Sequence, residues 1–126
     1  MALLGVQQIM TGKKVEASDV MHCFLGLRNL EIDVYFSLLK GQATVKETSE
    51  ALGRNRSTIQ RAIQNLVQRG FAYRRTRTLR KGGYVYVYEA VSLSTLKDLI
   101  KDTLDSFYKQ IVTFLDKYWA ESAKKR

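Results

Sequence analysis

Two helix-start signals in the middle of this 126-residue chain constrain its local geometry more than anything else in it. Thr44-Val45-Lys46-Glu47 has the spacing of a capping box. In that arrangement the threonine hydroxyl accepts from the backbone N–H three residues on, and the glutamate reaches back to the threonine N–H. Ser57-Thr58-Ile59-Gln60 repeats the spacing 13 residues later. Each box opens a short helix, and each helix meets a glycine, Gly53 or Gly70, that stops it. The first has Val45, Ala51 and Leu52 as its inner residues, and the second has Ile59, Ala62, Ile63, Leu66 and Val67.

Two capped helices across a glycine-bearing turn predict a helix-turn-helix. A further helix precedes them, with Asn29 as its cap and Lys40-Gly41 as its stop. Its apolar positions, Leu30, Val34, Leu38 and Ile32, Phe36, Leu39, fall at helical spacing. Before that, Ser18-Asp19 is the expected cap of a short helix carrying Val20, Met21, Phe24 and Leu25. Thr11-Gly12-Lys13-Lys14 reads as a turn, and Met1 to Met10 lacks the basic leader of a signal peptide.

After Gly70 the period changes. Phe71 to Arg77 has strand composition, and Tyr84-Val85-Tyr86-Val87-Tyr88 alternates with period two. Leu79-Arg80-Lys81-Gly82-Gly83 between them predicts a tight turn, hence a hairpin with a basic tip. Packing of one hairpin face on the helices would set the tyrosines over the root of the last helix; the competing use of Tyr84, Tyr86 and Tyr88 is a stacking platform for unpaired bases. From Ser94 to Ala123 one long helix is expected. Its stripe of Ile100, Leu104, Phe107, Ile111, Phe114 and Tyr118 steps by four and three in alternation, a heptad-like seam. A helix of about 45 Å outruns one small domain, so its far half requires a partner, and a second copy of the chain supplies one.

Charge is concentrated where these elements meet. Residues 54–91 hold nine Lys and Arg against the single acid Glu89, which accounts for eight of the nine net positive charges. No acid lies between Ala51 and Val87. Arg54, Arg56, Arg61, Arg69, Arg74, Arg75, Arg77 and Arg80 supply planar donor forks that fit phosphate and guanine edges. On the helix after Ser57, the outward residues are Thr58, Gln60, Arg61, Gln64, Asn65 and Gln68, all hydrogen-bonding types. The expected fold is mainly α with a small β-hairpin: an N-terminal segment (1–28), a winged helix-turn-helix (29–91) and a C-terminal dimerisation helix (92–126). Expected DNA contacts are Arg54, Asn55, Arg56, Ser57, Thr58, Gln60, Arg61 and Gln64 from the second helix of the motif, and Arg75, Arg77, Arg80 and Lys81 from the wing.

Residues 29–91 resemble the winged-helix domains of prokaryotic transcription regulators. Leu30-Glu31-Ile32-Asp33-Val34-Tyr35-Phe36-Ser37-Leu38-Leu39-Lys40-Gly41 is similar to the first helix of archaeal TrmB-type and MarR-type regulators. Thr44-Val45-Lys46-Glu47 through Leu66 resembles their helix-turn-helix, and Arg69-Gly70-Phe71 their entry into the first strand. The resemblance implies sequence-specific binding to double-stranded DNA, with contacts from the second helix of the motif and from the wing. The homodimer expected from the heptad-like seam places the binding site on an inverted repeat. Large TrmB-type members carry a sugar-binding domain beyond this point. Here one helix follows, so sugar sensing is not carried over, and neither are the phenolic ligands of MarR-type members; no effector is named.

Two other classes compete: a less specific DNA- or RNA-binding protein that organises chromosomes, and a module that docks onto polymerase. Acids on the reading face would favour the second, and there are none. No catalytic residues, cofactor or metal are expected. One His and one Cys, the adjacent His22 and Cys23, fall short of a usual structural zinc set and read as core or surface filler. A single cysteine fits a reducing cytosol, and with no membrane-spanning run the expected location is cytoplasmic.

Overall fold

The computed structural model describes residues 15–124. Helix α1 (Ala17–Leu25) and helix α2 (Asn29–Lys40) lead into α3 (Val45–Leu52) and α4 (Arg56–Gln68). Strands β1 (Ala72–Thr78) and β2 (Tyr84–Ala90) form an antiparallel hairpin, and α5 (Leu93–Lys117) and α6 (Trp119–Lys124) close the chain. This is the expected mainly helical class with one hairpin and a long last helix. The turn read at Thr11 to Lys14 and the segment Met1 to Met10 lie outside the described residues.

Helix starts follow the capping chemistry, with shifts that the hydrogen bonds explain. The Thr44 box forms as read: Thr44 Oγ1 accepts from the Glu47 N–H at 3.0 Å, and Glu47 Oε1 accepts from the Thr44 N–H at 2.8 Å. The second box does not form. Asn55, in extended conformation, caps α4 through its Oδ1, which accepts from the Thr58 N–H at 2.8 Å, and Ser57 lies inside the helix. Asparagine is at least serine's equal as a cap, and standing two residues earlier it takes the orphan donor first. Likewise α1 is capped at Glu16 and not at Ser18-Asp19, and α2 at Arg28 and not at Asn29. In both, an acid three residues on captures the cap N–H: Asp19 from Glu16 at 3.1 Å, Glu31 from Arg28 at 2.9 Å. Helix α5 begins after Ser92, whose Oγ accepts from the Thr95 N–H at 3.1 Å, and not at Ser94.

Helix α2 is the hub, in contact with α1, α3, α4 and β2. Its Ile32, Val34, Tyr35 and Leu38 are buried with Ile59, Ile63 and Leu66 of α4. The Tyr35 hydroxyl donates to the Val91 carbonyl at 2.7 Å, which ties α2 to the junction of β2 and α5, and burial raises the pKa of that hydroxyl. In α3 the inner set differs from the reading. Ala51 is exposed, and Thr48 is buried in its stead, its hydroxyl satisfied by the Thr44 carbonyl at 2.9 Å.

The hairpin pairs Ala72 with Ala90 through to Thr78 with Tyr84. Gly82 and Gly83 both have positive φ, +92° and +79°, which the turn requires of them. Ala43 forms an isolated bridge to Tyr88 and so covers part of the free edge of β2. The single long helix expected over 94–123 is interrupted: Tyr118 caps α5 and α6 starts beside it, with Trp119 edge-on to Phe114 at 5.9 Å. Among the described residues, α5 docks on the core through its first turns, with Leu96 buried and Leu99 and Ile100 partly buried.

The cap assignment has a direct test. Asn55→Ala is expected to lower stability by about 1 kcal/mol in urea denaturation. Ser57→Ala, an exposed site inside the helix, should stay within about 0.5 kcal/mol of the parent. The reverse order would restore Ser57 as the cap.

Candidate nucleic-acid interface

Helix α4 is amphipathic. Ile59, Ala62, Ile63 and Leu66 are buried, and Arg56, Ser57, Gln60, Arg61, Gln64 and Gln68 are exposed. With about 100° between successive residues, Ser57, Gln64 and Gln68 form the crest of the outer face. Arg56 and Gln60 descend one shoulder, and Thr58, Arg61 and Asn65 the other. The first shoulder meets the wing across a cleft lined also by Thr44, Lys46, Glu47, Arg77 and Tyr86. The second faces a cleft lined by Gly26, Arg28 and Glu31.

Asn65, read from the sequence as an outward residue, is turned inward. Its amide donates to the carboxylate of Glu31, a buried acid on α2. The carboxylate's other oxygen holds the Arg28 N–H. Helical spacing could not separate Asn65 from its outward neighbours, because it lies on the boundary between the two faces. What removes it from the outer face is an acid 34 residues away.

The arginine patch divides into two groups. Arg54, Arg56, Arg61, Arg80 and Lys81 are exposed, and among the described residues their side chains form no hydrogen bond or ion pair. They flank the start of α4 and cap the wing tip. The others serve the fold. Arg69 donates to the Leu25 carbonyl and lies over Phe71 at 5.1 Å. Arg74 lies over Tyr86 at 4.1 Å. Arg75 pairs with Glu89 at 3.5 Å, and Arg77 with Glu47 at 3.4 Å, which bridges wing and α3. Glu47 stays charged for this role: the Thr44 N–H does most to lower its carboxyl pKa, and the Arg77 charge adds to that. Both ion pairs are well exposed, so each is weak enough to exchange for a phosphate.

The tyrosines do not cover the root of the last helix. Tyr84 and Tyr86 are 59% and 42% exposed, because the strands run out beyond the helices and Tyr84 sits opposite Thr78 at the wing tip. Only Tyr88 reaches the core. On α5 the heptad stripe lies open: Leu104, Phe107, Ile111, Phe114 and Tyr118 are all exposed, and Ile100 is half-buried. Among the described residues no cluster of His, Cys, Asp and Glu could hold a metal, and no helix is long and apolar enough to cross a membrane.

The opposite placements of Gln64 and Asn65 predict opposite phenotypes. Asn65→Ala strips a buried carboxylate of a donor and should cost about 1.5–3 kcal/mol of stability. Gln64→Ala should leave stability within about 0.5 kcal/mol of the parent. Urea midpoints measure both, and equal midpoints would put Asn65 back on the surface.

Comparison with known proteins agrees with this geometry. A family model described as "Sugar-specific transcriptional regulator TrmB" matches residues 21–94. An uncharacterized protein of Methanocaldococcus jannaschii is 41% identical over 113 residues, covering 89% of this chain and 92% of the relative. A possible transcriptional regulator from Methanosarcina mazei Go1 superposes with a TM-score of 0.73 at 25% identity, covering 85% of this chain and 92% of that one. A mutant of MepR from S. aureus, bound to an oligodeoxyribonucleotide, shares the fold at a TM-score of 0.51 and 15% identity, covering 98% of this chain and 84% of that one. A winged helix-turn-helix by its architecture, the chain belongs to the TrmB family of transcriptional regulators.

Proposed function

We propose that this protein is a sequence-specific regulator that binds double-stranded DNA as a homodimer, with α4 in the major groove and the wing on the adjacent backbone or minor groove. One observation carries the reading: the outer face of α4 joins arginines that have no ion pair among the described residues to amide side chains, with no acid on that face. Gln60, Arg61 and Gln64 are placed to meet base edges, while Arg54, Asn55, Arg56, Ser57 and Thr58 border the phosphates at the start of the helix. On the wing, Arg80 and Lys81 take phosphate directly, and Arg75 and Arg77 do so by exchanging their exposed carboxylate partners. The nucleic-acid complex of the similarly folded MepR mutant supports the same use of this architecture.

In this reading residues 29–91 are the DNA-binding unit, following the N-terminal segment 1–28. Residues 92–126 join two copies through Ile100, Leu104, Phe107, Ile111, Phe114 and Tyr118. A two-fold dimer sets its recognition helices about 34–36 Å apart, so the target is an inverted repeat. Selection of bound duplexes from a random pool, at stated salt, tests this. Enrichment of an inverted repeat is expected, and a pool without enrichment would favour less specific binding.

Two variants probe the parts separately. Neutralising Arg80 and Lys81 should flatten the dependence of log affinity on log salt by up to about 0.9 per lost phosphate contact. The preferred sequence should stay the same, and a parental slope would take the wing tip out of the interface.

Ile111→Asp with Phe114→Asp buries charge in the seam. Sedimentation should show monomers, with weakened operator binding. A parent that is monomeric at micromolar concentration, or a double mutant that remains a tight dimer, would refute the role given to α5.

A further inference from the structure

We propose that Arg28 is a backbone contact to duplex DNA: it receives a phosphodiester on the flank of α4 opposite the wing. The inference rests on the DNA-binding reading above and adds to it a residue outside the basic stretch of the sequence. Arg28 belongs to the link between α1 and α2, where the sequence shows only one isolated base. The fold sets it in the cleft along the second shoulder of α4, beside Thr58, Arg61 and Asn65. Those three positions are three and four apart, so they form one line along the helix. Arg56 and Gln60 form the matching line toward the wing.

The dimensions of DNA then bring a second strand alongside α4. A helix with its side chains is about 10–12 Å across, and the major groove is about 12 Å wide. A helix lying in that groove therefore has a sugar–phosphate strand along each shoulder. The wing meets one strand. The other runs along the cleft that Arg28 lines.

The chemistry of the cleft suits a phosphate. Arg28 is exposed, and its guanidinium has no ion pair among the described residues. A planar fork of donors matches a phosphodiester. The acid in the same cleft, Glu31, does not neutralise it. That carboxylate is buried, with one oxygen held by the Arg28 backbone N–H at 2.9 Å and the other by the Asn65 amide. Each half-site is thus gripped on both strands that border the groove, with Arg28 on one and the wing tip on the other.

The test uses the full chain, a duplex selected from the random pool, and a random-sequence duplex. Arg28→Ala should melt like the parent, because the bonds that start α2 come from the Arg28 backbone, whose carbonyl accepts from the Ile32 N–H at 3.0 Å. Its slope of log affinity against log salt should be shallower by about 0.9 for each bound copy. Affinity should fall by the same factor for both duplexes, and the preferred sequence should not change. Arg28→Lys should restore the slope. Phosphate ethylation of the DNA, read with the parent protein and needing no variant, should interfere on both strands that flank each major-groove contact. The Arg28→Ala pattern should lose the strand that the Arg80 and Lys81 variant keeps. A parental slope and pattern in Arg28→Ala, beside a wing variant that changes both, would overturn the inference and leave the DNA-binding reading standing. A changed base preference would overturn it too, by making Arg28 a reader. A parent that binds neither duplex would remove the inference together with the reading beneath it.

Discussion

The burial of α4 against α2 is the constraint on which the rest of the molecule depends. Ile59, Ile63 and Leu66 must leave water, and they do so among Val34, Tyr35 and Leu38. Packing at that density fixes the rotation of α4 about its own axis. Once the rotation is fixed, the crest of Ser57, Gln64 and Gln68 faces outward, and the two shoulders open onto the wing and onto the α1–α2 link. The buried Glu31 carboxylate adds a directional restraint that apolar packing lacks, since it holds Asn65 on one side and the start of α2 on the other. The Tyr35 hydroxyl does the same at the middle of α2, joining it to the residue that follows β2.

Electrostatics then divides one basic stretch into two kinds of work. Arginines at the root and middle of the hairpin are used within the molecule, over aromatic rings or against Glu47 and Glu89. Of these, the packing of Arg74 on the Tyr86 ring across the strands adds contact to a two-stranded ribbon that would be marginal alone, and the exposed ion pairs add little. Bases at the wing tip and at the start of α4 have no such partner among the described residues. A shared count of positive charge therefore conceals a difference of role. The bases that the fold does not use are left exposed to solvent.

The last helix follows a separate logic. Its first turns belong to the core through Leu96, while Phe107, Tyr108 and Trp119 are each more than half exposed. This exposed apolar stripe is the surface that the proposed dimer would cover. The interruption at Tyr118 turns Trp119 back onto Phe114, so the end of the stripe is an aromatic pair and not a further heptad step.

By itself the sequence determined the order and type of the elements from α1 to α5, though not the break at Tyr118 before α6, together with the capping of α3 by Thr44 and Glu47, the glycine stops, the hairpin and the location of the basic patch. All of these are set by neighbours within about one helical turn or by a period of 2.0 or 3.6 residues, so they are legible in a linear text. What only the tertiary structure decided depends on residues distant in the chain. It buried Thr48 where Ala51 was expected, turned Asn65 inward to Glu31, left Tyr84 and Tyr86 exposed, and placed Arg28 beside Arg61. The physical reason is the same throughout. A period says which residues share a face, but a boundary residue goes to whichever partner the packed neighbours bring within reach, and that partner is 34 residues away for Asn65 and 30 for Arg77.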